Sequence, residues 1–105
     1  MKAPSIIFRG TALEDLRAHD RWRASLDPPA APVREEIGAA IVRKLSGFLG
    51  YTALPYPIIV AQGEVTPIKR CGVTVRSKRF AVYIAPGPDD SIEVARIRHP
   101  QQRPL

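Results

Sequence analysis

A chain of 105 residues leaves room for one domain, expected to span residues 1–105. A hydrophobic fraction of 45% beside a charged fraction of 25% argues against disorder, and the apolar runs fall well short of the ~18 residues that a membrane span needs. Sixteen Lys and Arg against ten Asp and Glu give a net charge of +6 and a pI near 10.1, which points to phosphate backbones or acidic proteins as partners.

The elements follow in chain order. Ser5-Ile6-Ile7-Phe8-Arg9 is short, apolar and β-prone, and Gly10 stops it, which predicts an N-terminal strand. Thr11-Ala12-Leu13-Glu14 fits a capping box, with a helix from about Ala12 to Ser25. Ala12, Leu16, His19 and Leu26 lie near one stripe of it, Leu13 and Trp22 lie beside the stripe, and Asp27-Pro28-Pro29 ends it. Pro32 suits the first position of a second helix, in which Val33, Ile37, Ile41, Leu45 and Phe48 make an apolar face. Glu35 and Glu36 at its start, and Arg43 and Lys44 near its end, match the helix dipole, and Gly50 is placed to cap it. The short break between the helices predicts an antiparallel hairpin.

Tyr51 to Gln62 reads as a proline-punctuated loop ending in extended structure at Ile58-Ile59-Val60. Glu64 to Thr74 reads as a strand interrupted by Pro67 and Gly72. In Lys78 to Ala85, Phe80, Val82 and Ile84 alternate with Arg79, Ala81 and Tyr83, a second strand. Pro86 to Asp90 is a turn, Ser91 to Arg98 a third strand, and His99 to Leu105 an irregular tail. The expected fold class is α+β: an N-terminal strand, an α-helical hairpin and a three-stranded antiparallel meander. The helices would cover one sheet face and leave the other open for basic residues.

The charge is uneven. Residues 1–62 hold eight basic and six acidic residues, and residues 63–105 hold eight and four. Lys69, Arg70, Arg76, Lys78 and Arg79 form a run without an acid, but strand alternation divides them between two faces. The target-facing or nucleic-acid-facing candidates are Lys69, Arg70, Arg76, Arg79, Arg96 and Arg98. Cys71, the one cysteine, reads as a buried thiol. With His19 and His99 it lacks any metal-ligand spacing, so neither a metal nor a cofactor is expected. Tyr51 and Tyr56 either face a ligand or pack their loop. A start with one charge and no sustained apolar region argues against a secretory leader, and the single cysteine suits a reducing, cytoplasmic setting.

The order β-α-α-β-β-β resembles the RelE/ParE superfamily of toxins from bacterial type II toxin-antitoxin pairs. Ala12-Leu13-Glu14-Asp15-Leu16 followed by Trp22 looks like the opening of the first helix in ParE-like members. Lys78-Arg79-Phe80-Ala81-Val82-Tyr83 is similar to the family's arginine-bearing strand. Ile92 to His99 looks like its closing strand, which ends in histidine. The likeness covers Ile6 to Arg103, although Leu49 to Gly63 lacks the usual Pro-x-x-Gly-Arg link.

That resemblance implies a growth-inhibiting toxin neutralised by a cognate antitoxin. ParE-like members poison DNA gyrase and are not nucleases. RelE-like members cut mRNA on the ribosome without a metal, using the RNA 2′-hydroxyl. In the nuclease reading Arg79 would hold the scissile phosphate, while His99 and Glu64 would be candidates for proton transfer. Pro100 follows His99 where nuclease relatives carry a tyrosine, which favours the gyrase reading. A basic nucleic-acid-binding domain with no toxin role is the third reading.

Overall fold

The computed structural model describes residues 5–102. In chain order its elements are β1 (Ile6–Phe8), α1 (Gly10–Ala24), α2 (Arg34–Leu45), β2 (Ile58–Ala61), β3 (Glu64–Val75), β4 (Lys78–Pro86) and β5 (Ile92–Arg98). Single 3-10 turns occupy Tyr51–Ala53 and Pro88–Asp90. The fold is α+β, as the sequence suggests, but the sheet is mixed and has five strands in the order β1-β5-β4-β3-β2. Two strands therefore join the expected meander. β1 pairs in parallel with β5, with Ile6 opposite Ile92 and Phe8 opposite Val94. The apolar segment read as a loop ending in extended structure becomes β2, antiparallel to β3.

The core lies between the helices and one face of this sheet. Ile37, Ile41 and Leu45 of α2 and Ala12 and Leu16 of α1 meet Cys71, Val73, Val75, Phe80, Val82, Ile84, Ile92, Val94 and Ile97. The stripe of α1 is shorter than expected, because Leu26 lies beyond the helix and is exposed. Phe48 likewise lies past the end of α2 but still packs against the core.

The helix ends differ from the sequence reading. Arg9 stands at the N-cap of α1, and Thr11 makes no capping box; its hydroxyl donates to Ala95 O of β5 at 2.6 Å. A strand edge with unpaired carbonyls competes for that hydroxyl and wins. Pro32 precedes α2 by two residues, and α2 ends at Leu45 with Ser46 as its C-cap, so Gly50 does not cap this helix but stands at the N-cap of the Tyr51–Ala53 turn. Gly50 is also pressed on Asp90, where a Cβ would lie 2.6 Å from Asp90 O.

Asp15 binds α1 to the sheet. Its carboxylate accepts from Arg96 Nε at 2.8 Å, from Arg96 Nη2 at 3.1 Å and from the Ile97 amide at 2.8 Å. β1 covers only Ile92 to Val94 of β5, so the exposed edge beyond finds its partners on α1.

Two local features decide which face each cation takes. Arg76-Ser77 forms the β3–β4 turn with φ of 50° and 66°, and Val75 and Lys78 flank it as a pair. Both central residues of such a hairpin turn need positive φ. Along β5, Tyr83 of β4 faces Arg96 and Ile84 faces Val94, so Ala95 is an extra bulged residue. Val94 and Ile97 both point into the core across this bulge, while Arg96 and Arg98 share the opposite side.

Candidate functional site

Among the described residues, the open face of the sheet carries a depression of about 670 Å³ with Arg70 and Gly72 from β3, Arg79 and Ala81 from β4, and Arg98 from β5 around it. Gly72, Ala81 and Arg98 occupy one row across the three strands. Arg79 starts opposite Thr74 and its side chain crosses to the Gly72 position. A Cβ at Gly72 would lie 2.6 Å from the Arg79 guanidinium carbon, so only glycine leaves that guanidinium its place.

Among the described residues, the cations here have no carboxylate partner. No Asp or Glu lines the depression. The ion pairs of the described residues do not include Arg70, Arg79 or Arg98. Arg98 Nε is buried without a hydrogen-bond partner, and the Arg70 guanidinium lies 5.8 Å from the centre of the Tyr83 ring. Lys44 reaches in from α2 and donates to Gly72 O on the edge of β3 that β2 leaves open. An array of this kind concentrates positive potential where an anionic group could settle without first displacing a carboxylate.

The other sequence candidates are placed elsewhere. Lys69 is 8% exposed and faces inward; its amine donates to Tyr51 O at 2.7 Å and Leu54 O at 2.9 Å and lies 4.3 Å from the Tyr51 ring centre. It holds the Tyr51–Ala53 turn and cannot at the same time contact a target. Lys69→Met should therefore lower stability by about 1–3 kcal/mol, the cost of leaving buried carbonyls without a donor. Chemical denaturation would measure it, and the folded variant should keep any target binding.

Arg76 pairs with Glu36 through both Nε, at 2.9 Å, and Nη2, at 2.5 Å, and so ties the β3–β4 turn to α2. Arg96 is engaged by Asp15. Glu64 stands exposed at the β2–β3 turn, outside the depression. The six basic candidates thus separate into three that converge, Arg70, Arg79 and Arg98, and three that hold the fold together. Lys44 belongs with the first group, although its place near the end of a helix reads from sequence as a dipole effect alone.

Two tyrosines of the loop also separate. Tyr51 donates its hydroxyl to Pro67 O, whereas Tyr56 lines the depression. Burial pushes the Tyr56 phenol and the Cys71 thiol up, so both remain protonated at neutral pH.

His99 lies at the border of the depression and of a second groove, of about 410 Å³. Its ring stacks on Trp22, with centroids 5.3 Å apart and planes 10° apart, and stands 5.1 Å from His19. His19 meets Phe80 edge-on at 5.2 Å. His99 Nδ1 accepts from the Gln101 amide at 3.2 Å, which suits a neutral ring. Burial lowers the pKa of both imidazoles; the other ring and Arg23 lower His19 further, and Arg98 does the same to His99. Each ring therefore takes up a proton more readily in the unfolded chain than in the fold. Stability should be full above the ordinary histidine value of 6.5 and fall as pH drops below it toward the lowered folded-state values. Melting curves at pH 7.5 and pH 5.5 test the sign, and His19→Phe should flatten the difference.

The second groove has apolar walls from Trp22, Leu26, Val33, Val75 and Phe80, with Arg23, Arg76 and Lys78 also lining it. Among the described residues no group of three or more His, Cys, Asp or Glu could hold a metal ion, and no helix is long and apolar enough to cross a membrane. Comparison with protein-family models, curated proteins and solved structures finds no match for this chain.

Proposed function

We propose that this protein is a growth-inhibiting toxin of the RelE/ParE type, acting ParE-like by binding and poisoning DNA gyrase. The convergence of Arg70, Arg79 and Arg98 in a depression that no Asp or Glu lines among the described residues carries this reading. It is a surface built to bind an anionic patch. The chemistry around it favours binding over cleavage. Phosphodiester cleavage needs a base as well as cations. Glu64 lies outside the depression, the Cys71 thiol is buried and protonated, and His99 is occupied in a stack.

A cognate antitoxin would be the natural neutralising partner. The apolar groove at Trp22 and Leu26, with Arg23 and Lys78 beside it, suits an acidic segment that carries bulky apolar side chains.

One observation favours the RelE-like alternative, a ribosome-dependent mRNA endonuclease. The Tyr56 phenol and His99 both line the depression that holds Arg79 and Arg98. In that reading Tyr56 takes the place of the tyrosine that Pro100 displaces. Controlled expression, with and without any small gene found beside its own, separates the two targets. Growth arrest with a DNA-damage response is the expected outcome. Rapid loss of translation with cut mRNA would replace gyrase by the ribosome, and unimpeded growth would remove the toxin reading.

A further inference from the structure

We propose that two copies of this chain associate through the outer edge of β2, pairing antiparallel so that their sheets become continuous. β2 is the last strand of the sheet, and among the described residues no strand pairs with its outer side. The strand reads Ile58-Ile59-Val60-Ala61, with no charge along it. The strand is short, follows Pro57, and its register with β3 shifts between Ile58 and Val60, but among the described residues no charged side chain or covering element lies along its outer edge. Here Ile58 is 47% exposed and Val60 62%, and Val65, opposite Val60 on β3, is 76% exposed. Val60 and Val65 are cross-strand partners, and Ile58 lies two residues before Val60 on the same strand.

The charge distribution selects the occupant. Residues 54–68 contain a single charged residue, Glu64, in a chain of net charge +6. An acidic partner would be drawn to the arginine depression rather than to this neutral hairpin. Two copies can meet at the hairpin without opposing their cations, and the arginines stay on β3, β4 and β5. The strand is also self-complementary. Pairing about a two-fold axis beside Ile59 sets Ile58 opposite Val60 of the second copy, and Val60 opposite its Ile58. Same-face apolar pairs of this kind are the stabilising unit of a sheet. Four residues a side make a small interface, so the affinity belongs in the micromolar to millimolar range. The inference does not depend on the toxin reading.

Sedimentation velocity on the purified full chain, from micromolar to millimolar concentration, tests it. A shift from monomer toward dimer with rising concentration is expected. Val60→Lys, at an exposed site, should keep the melting temperature and lose the shift. Ile59→Cys should become a disulfide-linked dimer under mild oxidation, because residues facing each other at the axis have suitable spacing. The parent, with its one cysteine buried, should not. A parent that stays monomeric throughout, a Val60→Lys variant that dimerises like the parent, or an Ile59→Cys variant that stays unlinked would each overturn the proposal. So would a monomer that captures a host protein only when Val60 is intact, since the edge would then serve a different partner.

Discussion

In the proposed toxin, replacing Arg79 and Arg98 together by glutamate should abolish growth arrest while leaving the domain folded. Neither residue is engaged in an ion pair among the described residues, so the fold loses little when they change. Both line the depression, and reversing them turns an attractive anion surface into a repulsive one. Like-charge contacts across an interface cost several kcal/mol, so target affinity should drop about a hundredfold or more. The pairs Arg76 with Glu36 and Arg96 with Asp15 make a useful contrast. Charge reversal at Arg76 or Arg96 attacks the fold as well, and its effect on toxicity would be mixed with instability. His99→Ala is the third arm. In a gyrase poison it should keep most toxicity and lose only the packing against Trp22 and His19. An inactive, well-folded His99→Ala variant, beside ribosome-dependent cleavage by the parent, would decide for the nuclease.

Ile41→Asp should unfold the domain outright. Ile41 has no exposure, and it sits with Ile37 and Leu45 on the face of α2 that meets the sheet. A carboxylate there must either remain charged without a partner or take up a proton, and either state leaves a polar group in an apolar setting. The cost is on the order of 5 kcal/mol. A domain of this size has only about 5–15 kcal/mol to lose. Circular dichroism should show a lost or strongly lowered transition, and toxicity should vanish with it. Val42→Asp, one residue on and exposed, is the control that should melt near the parent. A normal melt for Ile41→Asp would mean that α2 presents a different face to the sheet.

Much of this architecture could be read directly from periodicity. The four-residue spacing of Ile37, Ile41 and Leu45 specifies the buried face of α2 whatever it packs against. The alternation of Phe80, Val82 and Ile84 likewise specifies the core face of β4, and leaves Arg79 and Ala81 on the other. The basic surface was legible in outline for the same reason, because a strand arginine between core positions has only one side to take.

Tertiary structure decided the rest, because pairing partners distant in sequence leave no local mark. Nothing within Ile6–Phe8 indicates that it lies beside Ile92, and nothing in Ile58–Ala61 distinguishes an edge strand from an apolar loop. Thr11 has good capping chemistry, yet a carbonyl of β5, 84 residues away, takes its hydroxyl. The division of the cations has the same origin. Lys69 is held by carbonyls of a preceding turn, Arg76 by α2 and Arg96 by α1, while Arg98 reaches the open face because the bulge at Ala95 shifts the alternation of β5 by one. A sequence shows how many cations a chain carries; which of them remain available to a partner depends on where the folded chain places its carboxylates and carbonyls.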